Sequence, residues 1–345
     1  MKAAVLVEAN APLEIFDIDV PKLDVGQVLV RITHSGICGK QIDEITARRG
    51  PDPYLPHLLG HEGAGVVEDV GPGVRKLKQG DAVVLHWIKA SGIDAAPASF
   101  QKKGTGMRIN GGCVTTFSDY TIASENRLTK IPAGVNPEIA ALLGCAVTTG
   151  LGIVFNNAEM KPGESIAVFG VGGMGLNVIQ GAVLVNAYPI VAIDLFDSKL
   201  EWAKSLGATH TINSRNADPT AALKEITGGK GFDVTVDTTG NRRVRELAYD
   251  VCANKGRTIY AGVPDVSEKI TIDSFPIHFG RKLIGSHGGE TQPDIDIPRY
   301  VTLHKLGRLR LEELITHRFP LDKINEAIAV VRGGEAGRCL VKMAA

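Results

Sequence analysis

Residues 165–194 constrain the fold more than any other stretch of the chain. Ser165 to Phe169 (SIAVF) is a short apolar run of strand type, and it leads directly into Gly170-Val171-Gly172-Gly173-Met174-Gly175. A helical pattern follows from Leu176 to about Val185, and the next strand pattern, Pro189 to Ile193, ends in Asp194. Strand, glycine turn and helix in that order form a dinucleotide fingerprint. The glycines permit a tight turn and let backbone approach a pyrophosphate at the helix amino terminus, which makes Gly170, Gly172, Gly173, Met174 and Gly175 candidate cofactor contacts. Read without the carboxylate and the second strand, the same glycines are only a packing turn. Asp194 stands where a carboxylate accepts hydrogen bonds from the adenine-ribose hydroxyls and repels a 2′-phosphate, which favours NAD over NADP.

The alternation continues. Thr209 to Ile212, Asp233 to Asp237, Arg257 to Val263 and Lys282 to Ser286 read as strands, with Asp218 to Ile226 and Arg242 to Ala253 as helices. That pattern predicts a doubly wound parallel sheet, an α/β fold of Rossmann type. The amino-terminal part differs: AAVLV, LEIFDIDV and QVLVRI are short apolar or alternating runs separated by Asn, Pro and Gly, and they predict a β-rich domain with glycine turns. After the parallel sheet, Ile297 to Leu306 and Asp322 to Val331 are helical, with Leu314 to Phe319 and Cys339 to Lys342 as strands. A chain of 345 residues exceeds the usual single core. The expected division is 1–146 as a β-rich catalytic domain, 147–287 as the dinucleotide-binding domain, and 288–345 as a return to the first.

Formal net charge is zero, which gives no electrostatic case for nucleic acid or an anionic membrane as partner. No apolar run reaches bilayer-spanning length, the amino terminus lacks a leader-cleavage pattern, and five scattered cysteines make no disulfide framework. Together these give the expectation of a cytoplasmic protein.

Gly60 to Val67 (GHEGAGVV) carries adjacent His61 and Glu62, preceded by a lone Cys38 and followed by a lone Cys145. Two soft thiols and an imidazole with a carboxylate close by suit zinc, and three strong donors far apart in sequence leave one coordination position open, the pattern of a catalytic site. The alternative is a set of buried core thiols, since free Cys packs like a small hydrophobe. Ser35 to Lys40 (SGICGK), GHEGAGVV, Gly80 to Val84 (GDAVV) and Gly144 to Gly150 (GCAVTTG) occur in the order and near the spacing of the zinc-dependent alcohol dehydrogenases. The chain therefore resembles that medium-chain dehydrogenase/reductase family over essentially its whole length. The resemblance implies that Cys38, His61 and Cys145 bind a catalytic zinc, with Glu62 as an occasional ligand, and that the first domain is a GroES-like, partly open β-barrel. It also places Thr149 near the nicotinamide, Lys199 at the adenosine ribose, Thr239, Val263 and Pro264 along the cofactor-facing strand ends, and Arg338 at the pyrophosphate. Gly39 replaces a basic residue that often supplies another such contact.

Three departures stand out. Where many members carry a four-cysteine lobe for a second, structural zinc, this chain has 87–114 with Cys113 alone, so one zinc per chain is expected and the segment reads as a loop, a candidate lid or subunit contact. Where the family has a hydroxyl-and-histidine proton relay, Lys40 and Asp43 stand. Lys40 is open to several readings: a general base, an anchor for a polar substrate, a partner of Asp43, or a lysine that snorkels to solvent while water carries the proton. Gln41 replaces an Asp that usually orients the histidine ligand. The expected activity is hydride transfer between NAD and an alcohol, such as a secondary alcohol, polyol or sugar-derived alcohol, or the reverse carbonyl reduction. The alternatives are a zinc-free reductase of the same superfamily acting on an activated double bond, and a non-catalytic cofactor-binding protein. A homodimer or homotetramer is expected from the resemblance, with Lys282 to Gly289 as candidate edge.

Overall fold

Runs of Val, Ile and Phe with no exposed face form the strands of one sheet: Ile166–Phe169, Ile190–Asp194 and Phe232–Asp237 are buried almost throughout. Such continuous apolar runs belong to parallel sheets covered on both sides. In the computed structural model, which describes residues 1–216 and 218–344, the chain divides into two compact units. One comprises Met1–Cys145 with Gln292–Ala345, the other Ala146–Thr291.

The second unit is a six-stranded sheet in the order His210–Asn213, Ile190–Asp194, Ile166–Phe169, Phe232–Asp237, Cys252–Tyr260, Lys282–Gly285. Every pairing is parallel. This is the doubly wound order of a dinucleotide-binding sheet, whose ligand crevice lies at the carboxyl ends of the strands. The helix Gly173–Leu184 starts three residues before the sequence pattern suggests, because Gly172 takes an extended conformation and caps it inside the glycine run. Arg242–Asp250 ends before Ala253, and Cys252 already opens the next strand.

The first unit holds a closed barrel of Lys2–Leu6, Glu14–Asp19, Ser99–Lys102, Arg108–Asn110 and His57–Leu58. Beside it runs a seven-stranded sheet in which the long strand Gln27–Ile37 pairs with Gly63–Val70, Tyr120–Ser124 and Arg338–Lys342. Arg338–Lys342 thus joins the carboxyl-terminal segment to the strand that ends at Cys38.

Segment 87–114 is not the simple loop expected from its Gly, Ala and Lys content. Ser99–Lys102 and Arg108–Asn110 form a hairpin of the barrel, with Phe100 and Ile109 buried in its core. Two three- to four-residue strands are too short to show periodicity in sequence. Upstream, carboxylates organise the chain. Glu125 is buried and accepts backbone N–H groups of Arg75, Lys76 and Ile93 at 2.7–2.9 Å. Asp294 accepts from Lys76 Nζ, from Thr129 Oγ1 and from the Ser91 amide and hydroxyl.

No helix of the described residues is long and apolar enough to cross a membrane. Burial alone would raise the Glu125 pKa, but its N–H donors and Lys76 hold it below the ordinary carboxylate value. Its stabilising effect is therefore complete above about pH 4.3 and is lost as pH falls through the lowered folded value. Glu125→Ala is expected to cost about 2–4 kcal/mol in denaturant unfolding at neutral pH, and to flatten the loss of stability on acidification. Wild-type stability in the variant would refute this role for the carboxylate.

Candidate functional site

Cys38 terminates the strand Gln27–Ile37 and caps the short helix Gly39–Ile45. His61 and Glu62 lie between the strands His57–Leu58 and Gly63–Val70, just after Gly60 at φ 90°. A side chain at Gly60 would press on Thr116 and on the Phe117 ring at 2.9 Å, so the turn that delivers His61 requires glycine. Cys145 sits between the helices Pro137–Leu142 and Ala146–Gly152. The donor atoms of Cys38, His61, Glu62 and Cys145 all lie within 4.8 Å of one another.

The Glu62–Gly63 peptide is fastened to the strand that leads to Cys38. The Glu62 carbonyl accepts from Ser35 Oγ at 3.0 Å, Thr116 Oγ1 at 3.2 Å and the Gly36 amide at 3.2 Å. Gln41, fully buried, accepts the Cys38 amide on Oε1 at 2.9 Å and sets Nε2 2.5 Å from His61 Nδ1. The Glu62 carboxylate has no exposed surface and is paired through Oε1 with the Arg338 guanidinium, itself buried. Gly36 makes room for that pair, since a Cβ there would lie 2.7 Å from Glu62 Cδ and 2.8 Å from Arg338 Nη2.

The protein groups alone already favour a thiolate. Hydrogen bonding with Cys145 and then interaction with the His61 ring hold the Cys38 thiol well below its ordinary pKa against the opposing effect of burial. The same Cys38–Cys145 hydrogen bond, with burial, raises Cys145 well above its ordinary value. For His61, burial lowers the pKa, but Cys38, Glu62 and Glu44 outweigh it and the net direction is up. Burial also raises Glu62, with Arg338 opposing. Two buried polar atoms at this point have no hydrogen-bond partner, His61 Nε2 and Glu62 Oε2. Two sulfurs, one imidazole nitrogen and an unsatisfied carboxylate oxygen converging in this way fit zinc.

Lys40 and Asp43 pair with other residues and not with one another. Lys40 Nζ lies 3.6 Å from Glu44, one turn on, and Asp43 lies 3.4 Å from Arg48. Arg338, marked in sequence only by the family pattern, has its guanidinium against Glu62. That pairing had no local signal, because 276 residues separate the partners.

At the glycine turn, Gly170 has φ 84° and Gly175 packs against the Gly170 carbonyl, so both need glycine for backbone reasons. A Cβ on Gly172 would meet nothing within 4 Å, which leaves open space at the start of the Gly173–Leu184 helix, whose first turn no side chain caps. Met174 lies in that first turn. Asp194 accepts from the Val171 amide at 2.8 Å and the Leu195 amide at 2.7 Å, so its carboxylate is anchored at the turn. Lys199 and Arg215 lie over the Phe196 ring at 5.3 and 4.7 Å from its centroid, two residues on from Asp194 in the chain; Arg215 had no motif to mark it. Thr149 is buried in Ala146–Gly152, Thr239 donates its hydroxyl to Asp237 at 2.6 Å, and Val263 is half exposed. These features fit a dinucleotide cradle.

Comparison with known proteins agrees with this geometry. The family described as "Alcohol dehydrogenase GroES-like domain" matches residues 24–133, and "Zinc-binding dehydrogenase" matches residues 173–303. The chain is 36% identical to S-(hydroxymethyl)glutathione dehydrogenase of Synechocystis sp., covering 99% of both chains. It is 33% identical to alcohol dehydrogenase class-3 of Cereibacter sphaeroides, again covering 99% of each. Among solved structures, an alcohol dehydrogenase zinc-binding domain protein from Burkholderia ambifaria superposes with a TM-score of 0.93 at 31% identity, covering 100% of this chain and 99% of that one. Benzyl alcohol dehydrogenase from Acinetobacter calcoaceticus gives 0.90 at 29% identity, covering 99% of each.

Removing one partner of the Glu62–Arg338 pair strands a buried charge. Arg338→Leu is expected to destabilise the metal-free protein by about 3–5 kcal/mol in denaturant unfolding, and the double variant Glu62→Leu/Arg338→Leu to recover most of that loss. Equal losses in both would show that the pair is not the cause.

Proposed function

The chain belongs to the zinc-dependent, medium-chain alcohol dehydrogenases, and from that premise we propose how its own residues carry out hydride transfer between an alcohol and NAD, or the reverse carbonyl reduction. Zinc supplies Lewis acidity towards a substrate oxygen, and the nicotinamide accepts or delivers the hydride. Cys38, His61 and Cys145 are the protein ligands, and Glu62, with one unsatisfied oxygen, is the group within reach when the coordination changes. Convergence of the four donors within 4.8 Å is the observation that carries this reading. It also disfavours a zinc-free reductase, for which a buried set of two thiols, an imidazole and a carboxylate has no use.

Gly170, Gly172, Gly173, Met174 and Gly175 offer backbone N–H groups to the pyrophosphate, and Asp194 accepts the ribose hydroxyls, with Lys199 beside it. Thr149, Thr239 and Val263 complete the cofactor contacts, and Arg338 acts through Glu62 as well as towards the anion. Lys40, half exposed on the helix that begins at Cys38, together with Asp43, is the route by which a proton leaves or a polar substrate is held. One zinc is bound per chain, because Cys113 lies alone and exposed where a second site would need four thiolates.

The relatives' names specify S-(hydroxymethyl)glutathione and benzyl alcohol. For this chain the charged neighbourhood of Lys40 supports a polar alcohol, such as a polyol or sugar-derived alcohol. The exposed edge strand Lys282–Gly285 is the surface through which two copies would pair in a homodimer or homotetramer, and the five free cysteines suit a reducing, cytoplasmic compartment.

Metal analysis of purified protein is expected to give one zinc per chain, with NAD-dependent oxidation of polar alcohols faster than of small aliphatic ones. Asp194→Ala is expected to weaken NADH binding about tenfold or more through loss of charged hydrogen bonds. Ethanol as the best substrate would overturn the substrate class, and protein that binds NADH but takes up no zinc would overturn the metal assignment.

A further inference from the structure

The Gln41 carboxamide touches two of the proposed ligand residues at once, through Oε1 to the Cys38 amide at 2.9 Å and through Nε2 to His61 Nδ1 at 2.5 Å. A backbone N–H only donates, so the amide oxygen must face Cys38. The NH2 end therefore faces Nδ1, and it has donors only. Nδ1 must then accept, and a neutral imidazole in that position carries its one proton on Nε2. With Nδ1 engaged by Gln41, Nε2 is the nitrogen left to face the thiols, and it is buried without a hydrogen-bond partner. A metal ion needs the lone pair of that nitrogen.

We propose that Gln41 is a positioning residue that holds His61 in the tautomer opposed to metal binding, so that zinc entry is coupled to rearrangement of the carboxamide. The tautomer follows from the hydrogen bonds alone; the coupling to zinc rests on the metal reading above. When zinc binds, the Nε2 proton moves to Nδ1 or leaves to solvent. A proton on Nδ1 can be accepted only by the amide oxygen, and the Cys38 N–H then loses its acceptor. Gln41 is fully buried, so its carboxamide does not turn to solvent to relieve that conflict. The site therefore binds zinc less tightly than its donor set allows, and the metal is more readily exchanged. A carboxylate in the same place accepts from Cys38 N–H and from His61 Nδ1–H together.

Two measurements on the full-length, metal-free chain test this. The ring ¹⁵N shifts of His61, assigned by loss of the signal in His61→Asn, are expected to show Nδ1 unprotonated and Nε2 protonated; a protonated Nδ1 overturns the proposal whether or not zinc binds. Chelator competition is expected to show zinc held about 10–100-fold more tightly by Gln41→Glu than by wild type, the range outer-shell changes usually produce. Affinity equal to or below wild type, in a variant whose metal-free thermal unfolding is unchanged, also overturns it. If Gln41→Glu does not fold, the ¹⁵N shifts decide alone. A wild type that takes up no zinc refutes the zinc reading, while the tautomer is still read independently.

Discussion

A carboxylate with no exposed surface, held by a guanidinium 276 residues away, ties the candidate metal site to the rest of the first unit. Glu62 is one residue from His61, and Arg338 opens the strand that pairs with the end of Gln27–Ile37, next to Cys38. Neither charge is tolerable alone in that environment. The pair therefore makes closure of the chain's carboxyl-terminal segment onto the sheet a condition for a settled donor set. Gly36 leaves space for it, and Ser35 and Thr116 fix the Glu62 backbone from the other side. The ligands come from a strand end, a glycine turn and an inter-helix junction, none of which could place a donor to the needed accuracy without these supports.

Elsewhere in the same unit, carboxylates organise the chain around the 87–94 segment. Glu125 gathers three backbone donors, and Asp294 gathers Lys76, Ser91 and Thr129 around the 87–94 segment. An acceptor-only group that collects several N–H and O–H donors does for a loop what a four-thiolate ion does, with a different sensitivity. It responds to acid, where a metal lobe responds to chelators.

The parallel sheet was legible in the sequence because its signals are local and strong. SIAVF followed by the glycine run and a strand ending in Asp194 spans a single continuous stretch, and the alternation beyond it gives the parallel sheet, while the strand order comes from the structure. The convergence of Cys38, His61, Glu62 and Cys145 was legible through residue type and the four ordered motifs. The barrel was implied by the resemblance alone and not by residue pattern, since Ser99–Lys102, Arg108–Asn110 and His57–Leu58 are two to four residues long and find their partners across the chain. For the same reason the Glu62–Arg338 pair and the double engagement of Gln41 left no trace in spacing. Lys40 and Asp43 were singled out in sequence only as departures from the family pattern, and their pairing with Glu44 and Arg48 depends on rotamers on the helix surface.

The central claim is that Cys38, His61 and Cys145 together hold a catalytic zinc with one position left for exchange. X-ray absorption at the zinc edge of the loaded protein tests it most directly. The account predicts two sulfur scatterers at about 2.3 Å and nitrogen or oxygen neighbours at about 2.0–2.2 Å. Four sulfurs, or none, would contradict it.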